Sequence, residues 1–237
     1  MTDTATMKEH RDPKLDLPAN FFVGWYALNG RWFPWRGKGV SPFGVLIAEA
    51  LLRQTRAEMV ARVWPSLMEE YPDPAALAAA KPSALFLKVK NLGFGHQRSK
   101  VLLDLATAIK EAGALSSQPS ELMVLPHVGL YTAHAVACFG FGRRVPVVDL
   151  NVVRVISRIA GIETVKDIRR GASLIWQLAW AFLPEKQVPE HNYGLLDFAA
   201  TICKSRLPKH GECPVAAWCA YVRCGAPSDS CEVMINE

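Results

Sequence analysis

The end of this chain holds a concentration of metal-binding side chains. Five of its six cysteines lie within the last 35 of 237 residues, and only Cys138 lies elsewhere. Thiols this crowded either bind metal or form disulfides, and the first twenty residues contain no apolar signal-peptide core that would direct export to an oxidising compartment. The crowding therefore favours a metal site.

Two carboxylates have neighbours that suit acid–base chemistry. Glu49 lies one helical turn from Val45 and Leu52, so partial burial is expected to raise its pKa. Asp149 follows the apolar run Val145–Val148 and opens a helical segment, where it can serve as an N-cap. The alternatives from sequence alone are a solvated Glu49 and an Asp149 that only caps its helix.

The elements that carry these residues are predicted to be helices. Apolar residues recur at helical spacing after a polar lead-in over residues 1–19, which predicts an all-α protein. One stretch, Leu125 to Gly142, places a turn with proline and glycine between two helical segments. Such a turn can present backbone N–H groups to a phosphate, although an ordinary helix connection has the same pattern.

Composition sets broad limits on function. Half of the residues are hydrophobic, enough for a substantial core, and no apolar run approaches the eighteen residues of a membrane helix. The formal net charge of +5 fits a polyanionic partner without requiring one.

Five segments together resemble the helix-hairpin-helix DNA glycosylase superfamily, which includes endonuclease III, MutY and the short thymine-DNA mismatch glycosylases. They are FPWR (Phe33 to Arg36), EALLRQT (Glu49 to Thr55), LPHVGLYTA (Leu125 to Ala133), VPVVDLNVVRV (Val145 to Val155) and NYGLLDFAATIC (Asn192 to Cys203). The similarity covers about residues 20–225, and motifs in one order are more specific than any single motif.

The resemblance implies two helical lobes with a DNA-binding cleft between them. The expected helical barrel spans residues 41–147 and contains the helix-hairpin-helix at about 121–142. The expected second domain is discontinuous, comprising residues 20–40 and 148–237, and it carries the metal-cluster loop.

The resemblance also implies three catalytic residues. Asp149 matches the family's catalytic aspartate, whose charge lies beneath the sugar as its glycosidic bond breaks. Glu49 matches an acidic residue that assists departure of the base. Tyr131 stands where bifunctional relatives carry a lysine that forms a Schiff base, so we expect base removal without efficient strand cleavage.

DNA contacts are expected from the turns that face the cleft. Their residues are Arg53, Gln54, His127, Val128, Gly129, Leu130 and Thr132, with Lys204, Arg206 and Lys209 as phosphate contacts beside the cysteines. The family has glycine where this chain has His127. A positive φ at histidine costs roughly 1 kcal/mol, so either the turn differs here or His127 contacts the DNA backbone.

The family's iron–sulfur signature, Cys-x6-Cys-x2-Cys-x5-Cys, is matched by Cys203, His210, Cys213 and Cys219 with histidine in second place. A [4Fe–4S] cluster with three cysteines and one histidine is the expected cofactor, because imidazole can ligate cluster iron. The alternatives are Cys224 as fourth ligand, a zinc ion, or no metal.

The predicted function is therefore that of a monofunctional DNA glycosylase in base excision repair. Thymine or uracil opposite guanine is the expected target, partly because a chain ending at Glu237 lacks room for the additional C-terminal domain of MutY. Adenine opposite guanine or 8-oxoguanine, another damaged base, and a non-enzymatic DNA-binding module are the alternatives. Double-stranded DNA is the expected partner of a monomer in the cytoplasm, associated with the nucleoid in a bacterium.

Overall fold

The computed structural model describes residues 17, 18, 20–162 and 174–223, and all regular elements in those ranges are helical. The α-helices are α1 (Phe21–Asn29), α2 (Pro42–Leu52), α3 (Ala57–Glu70), α4 (Pro74–Ala78), α5 (Pro82–Val89), α6 (Gly95–Ala112), α7 (Pro119–Leu122), α8 (Leu130–Ala135), α9 (Leu150–Ala160), α10 (Leu174–Ala181), α11 (Val188–Thr201) and α12 (Ala220–Arg223). Short 3₁₀ turns cover Pro34–Arg36, Lys90–Leu92 and His210–Glu212. The all-α prediction is confirmed. Among the described helices, none has the length and apolarity needed to cross a membrane.

Local sequence signals set the ends of the helices that carry the site. Ser41 caps α2 by accepting a hydrogen bond from the Gly44 N–H at 3.1 Å, with proline at the first helical position. Asp149 caps α9 in the same way, accepting from the Val152 N–H at 2.8 Å. Gly161, at φ 70°, ends α9 in the left-handed conformation that glycine adopts without strain.

The buried hydrophobic residues form two clusters. The first contains side chains of α2 to α8, among them Leu46, Leu102 and Leu105, and the second is built from α1, α9, α10 and α11 around Phe22 and Phe198. Leu183 and Val188 pack in the first cluster although they follow residue 148. The domain boundaries proposed from sequence remain predictions.

The predicted turn joins α7 to α8 through residues 123–129. His127 adopts φ 62°, the conformation usual for glycine, so the turn keeps that backbone despite the substitution. Its ring lies 2.8 Å from Asp104 Oδ2 of α6, a contact that glycine could not make. The helix after the turn continues as a π-helical turn over Val136–Gly140, which periodicity did not indicate.

Helices α1 and α11 approach each other closely at Gly194. A Cβ at this position would overlap the carbonyl oxygen of Phe22, so the α11 backbone can lie against α1 only without a side chain here. Tyr26 and Tyr193 stack beside the contact with ring centroids 5.8 Å apart.

We predict that Gly194→Ala lowers the free energy of unfolding by about 2 kcal/mol or more, because the methyl group must displace backbone atoms. The matched control is Gly24→Ala in α1, where a Cβ meets no atom of the described residues within 4 Å. Improved helix propensity should make that control about 0.5–1 kcal/mol more stable. Urea unfolding of both variants tests the contact, and equal effects of the two substitutions would contradict it.

Candidate active site

A cleft of about 1010 Å³, including the solvent at its mouth, holds all three predicted catalytic residues. Glu49 comes from α2, Tyr131 from α8, and Asp149 from the residue preceding α9. Two pairs of stacked aromatic rings also line the cleft, and their centroids are 5.0 Å apart in Phe33–Trp35 and 3.8 Å apart in Phe139–Tyr193. A space lined by flat aromatic faces and a few polar groups suits a planar, hydrogen-bonding ligand.

One wall of the cleft is held by a buried ion cluster centred on Asp197 of α11. Its fully buried carboxylate accepts from Arg36 Nη1 at 2.8 Å and Nη2 at 3.1 Å, and from Arg31 N at 2.8 Å and Nε at 2.9 Å. Burial alone would raise the pKa of Asp197, but the hydrogen bonds and charge of Arg36 hold it below its usual value. The Arg36 guanidinium also lies over the Tyr193 ring, 4.2 Å from its centroid.

Glu49 is buried, and its environment favours the protonated acid. Burial raises the pKa of Glu49 to about 7 against the opposing charge of Arg36, with Asp149 adding repulsion and a hydrogen bond from Tyr131 lowering the pKa. The sequence-based expectation of a raised pKa is therefore confirmed. At neutral pH, both protonation states of this carboxyl are populated, as a proton donor near pH 7 requires.

The Tyr131 phenol is a neutral hydrogen-bonding group in this cleft. Burial and the neighbouring charges of Glu49 and Asp149 raise its pKa well above the usual value, so it stays protonated at physiological pH. A hydroxyl in this position can orient the Glu49 carboxyl but supplies no amine to a sugar.

Asp149 stands at one end of a chain of hydrogen bonds that reaches the cysteine-containing loop. Asn151 Nδ2 donates to Asp149 Oδ2 at 2.7 Å, and Asn151 Oδ1 accepts from Arg154 Nη1 at 3.0 Å. Arg154 Nε then donates to the Cys203 carbonyl at 3.0 Å, and its Nη2 donates to the Ala199 carbonyl at 3.0 Å. These bonds fix the carboxylate orientation relative to the end of α11.

The residues predicted to contact DNA fall into different environments. Arg53 and Thr132 line the cleft, and Gln54 is exposed at φ 55° directly after α2. The remaining positions are an exposed His127, a buried Val128, an exposed Gly129 that precedes α8 and a half-buried Leu130. The Val128 side chain belongs to the first hydrophobic cluster, and its backbone N–H donates to the Leu125 carbonyl at 3.3 Å. Lys204, Arg206 and Lys209 are exposed, and Lys209 pairs with Glu212.

Asp197 beside the cleft and the exposed Phe94 were both missed in the sequence. Asp197 is a lone charge in the apolar run Leu195–Ala200, and a buried charge requires a partner, so its position was a usable signal. Phe94 was missed because a single aromatic residue has no pattern. It is 67% exposed at φ 51° in the loop before α6.

The four predicted metal ligands line one separate pocket of about 320 Å³, a volume that includes open solvent. Cys203 follows α11, whereas His210, Cys213 and Cys219 lie on the loop that precedes α12. Burial raises the pKa of the Cys213 and Cys219 thiols, and backbone N–H groups oppose this by donating to the sulfurs, that of Val215 to Cys213 and those of Tyr221 and Val222 to Cys219. Hydrogen bonds of this kind stabilise sulfur that carries negative charge.

Arg158 of α9 forms another wall of this pocket. Its Nη1 donates to Cys203 Sγ at 3.4 Å and to the Lys204 carbonyl at 2.7 Å, and its buried Nε has no hydrogen-bond partner among the described residues. Within the described ranges, no three His, Cys, Asp or Glu side chains converge tightly enough to hold one metal ion. Cys224 lies outside the described residues.

Glu49 generates a prediction about stability and pH. The unfolded chain releases this proton near pH 4.5 and the native protein near pH 7, so the native state holds the extra proton between these values. The stability of the native state therefore falls as pH rises through this window, by about 3 kcal/mol in total. In urea unfolding, Glu49→Gln should gain about that much relative to wild type between pH 4 and pH 8. Parallel stability curves would contradict a buried, protonated Glu49.

The chain was compared with known proteins. The family model of the HhH-GPD superfamily of base excision DNA repair proteins matches residues 47–178. An adenine DNA glycosylase of Mycobacterium tuberculosis is 38% identical over 214 residues, which cover 86% of this chain and 67% of the relative. A thymine-DNA glycosylase of Aeropyrum pernix is 34% identical over 204 residues, covering 84% of this chain and 91% of the relative. The solved structure of a thermostable thymine-DNA glycosylase superposes with a TM-score of 0.80 at 30% identity, covering 86% of this chain and 94% of that one. The chain belongs to the HhH-GPD superfamily of base excision DNA repair proteins.

Proposed function

We propose that this protein is a monofunctional DNA glycosylase that extrudes a mispaired base from duplex DNA and hydrolyses its N-glycosidic bond. The observation that carries the proposal is the pairing of Glu49 and Asp149 in one aromatic-lined cleft. Glu49 is a buried acid with a pKa near 7, and Asp149 accepts hydrogen bonds from an amide side chain and a backbone N–H. The same cleft thus holds a proton donor, Glu49, and a carboxylate, Asp149.

The proposed reaction divides the work between these two groups. As the bond between base and sugar lengthens, positive charge develops on the sugar, and the Asp149 carboxylate stabilises it. Glu49 donates a proton or hydrogen bond to the departing base, with the Tyr131 hydroxyl orienting its carboxyl. Water then adds to the sugar and releases a proton, which replaces the one that left with the base, so the products are the free base and an abasic site.

The proposed absence of efficient strand cleavage rests on Tyr131. Strand cleavage through a Schiff base requires an amine nucleophile. Tyr131 carries a phenol instead, and its raised pKa keeps that phenol protonated. The DNA strand that carries the abasic site is therefore expected to stay intact until alkali breaks it there.

Thymine or uracil opposite guanine is the proposed target. This choice is supported by the thymine-DNA glycosylase relative, which this chain matches over most of its length. Adenine is the second candidate, favoured by the identity with the mycobacterial adenine glycosylase.

We also propose a [4Fe–4S] cluster held by Cys203, His210, Cys213 and Cys219. The four side chains border one pocket, and Arg158 and the backbone N–H groups around it suit an anionic occupant. In such a cluster each iron takes its own ligand, so the donors are spread more widely than around the single ion of a tetrahedral zinc site. Such a cluster would stabilise the loop that bears Lys204 and Arg206 near DNA.

Asp149→Asn separates catalysis from helix capping. Asparagine caps a helix as well as aspartate, so the stability should change little, whereas loss of the charge should slow base release about 1000-fold. Single-turnover excision from a duplex with uracil opposite guanine and duplex affinity are measured together, with Glu111→Gln on the exposed face of α6 as control. Unimpaired excision by Asp149→Asn would refute the mechanism, and unimpaired binding without excision in wild type would favour a binding module.

The cluster makes a prediction about metal content. Protein purified without oxygen should be brown with broad visible absorption and contain about four irons per chain. His210→Cys should retain iron and lower the reduction potential, because a thiolate replaces a neutral imidazole, whereas His210→Ala should lose iron. Cys224→Ser should keep its iron. Iron loss in that variant would assign the fourth position to Cys224, and a colourless protein with stoichiometric zinc would contradict the cluster.

A further inference from the structure

A buried arginine at the start of α6 joins two loops that end in exposed side chains. Arg98 Nε donates to the Gly93 carbonyl at 2.8 Å, and its Nη1 donates to the Leu51 carbonyl at 3.0 Å. Its Nη2 donates to the Arg53 carbonyl at 3.0 Å and to the Thr55 hydroxyl. All four acceptors are uncharged oxygens. These hydrogen bonds therefore hold the two loops in position and do not neutralise the charge of Arg98.

Each of the two loops contains a non-glycine residue in the left-handed conformation. Gln54 has φ 55° and Phe94 has φ 51°, and both side chains are exposed. This conformation costs roughly 1–2 kcal/mol for such residues, so it persists only where surrounding contacts hold it. Arg98 provides those contacts on both sides, at Gly93 next to Phe94 and at Arg53 next to Gln54.

The first of these loops also contacts the turn between α7 and α8. Arg53 Nη1 donates to the His127 carbonyl at 3.3 Å, and the His127 ring contacts Asp104 of α6 at 2.8 Å. Helix α6 therefore anchors three neighbouring loops, two through Arg98 and the third through Asp104.

An exposed aromatic ring and an exposed amide on two loops joined by one side chain suit a base stack that has been opened. Extruding a base costs a few kcal/mol, and stacking an aromatic side chain on the remaining bases returns about 1–3 kcal/mol. The stacking energy offsets the cost of extrusion only if the aromatic ring is correctly placed, because a misplaced ring cannot enter the gap as the base leaves.

We propose that Arg98 is a positioning residue that holds Gln54 and Phe94 as one unit for base extrusion. This inference rests on the proposed function, since it concerns the step before bond cleavage. The planar fork of arginine reaches carbonyls on both loops at once, whereas the compact ammonium of lysine cannot span them. Arg98→Lys should therefore keep the charge but lose the coupling between the loops.

The test reads extrusion directly. In an Asp149→Asn background, a 2-aminopurine beside a uracil opposite guanine reports loss of stacking when the uracil leaves the duplex. Affinity for the same duplex and single-turnover excision by the Asp149 form are measured in parallel. Arg62→Lys on the exposed surface of α3 is the matched control, and Thr55→Val removes one acceptor of Arg98 at a half-buried site.

Arg98→Lys should bind the duplex within about threefold of its parent but lose most of the fluorescence rise, and it should excise about 30-fold more slowly. Thr55→Val should lower both the fluorescence rise and the excision rate by about fivefold, and Arg62→Lys should lower neither. Full fluorescence and excision in Arg98→Lys would overturn the proposal. If that variant does not fold, Thr55→Val decides, and unchanged signals there would also overturn it. Failure of wild type to release any base would instead refute the proposed function, since the fluorescence signal does not require bond cleavage.

Discussion

The buried carboxylate of Asp197 is the constraint on which the cleft depends. It binds Arg31 and Arg36, which are 166 and 161 residues away in sequence, and so connects the segment before α2 to α11. A buried charge is tolerated only when its hydrogen-bonding capacity is filled, and removing one partner typically costs about 3–5 kcal/mol. The ion pair of Asp197 with Arg36 also holds Arg36 over the Tyr193 ring and near Glu49. One interaction therefore joins distant parts of the chain and sets the charge around Glu49.

The carboxyl groups of Glu49 and Asp149 are chemically alike but lie in different surroundings. Burial raises the pKa of Glu49 on α2, and the opposing charge of Arg36 keeps that pKa near neutrality. Asp149 stands instead at a helix N-terminus, where its oxygens accept hydrogen bonds from a backbone N–H and from the Asn151 amide. The hydrogen bonds from Asn151 to Arg154 and onward to Cys203 then connect the reacting centre to the cysteine pocket.

Sequence predicted the helical class, the capping position of Asp149 and the raised pKa of Glu49, because these have local patterns or family motifs. Glu49, Tyr131 and Asp149 also share one cleft, but the roles given to them stay predictions. The pairing of Asp197 with Arg36 was missed, since a contact across 161 residues has no local signal. Arg98 was missed for a related reason, because its role depends on two loops that only the fold brings together. The positive φ of His127 shows a turn whose backbone survives loss of its glycine, helped by a contact with Asp104 that sequence could not reveal.

The most direct test of this account is incubation of the wild-type protein with labelled duplexes containing thymine, uracil or adenine opposite guanine, and adenine opposite 8-oxoguanine. Strand breakage is compared with and without hot alkali. The account predicts breakage at thymine or uracil opposite guanine that appears only after alkali, the mark of base removal that leaves an abasic site. Breakage of equal extent without alkali would contradict the role given to Tyr131, and binding without any base release would contradict the central claim of catalysis by Asp149 and Glu49.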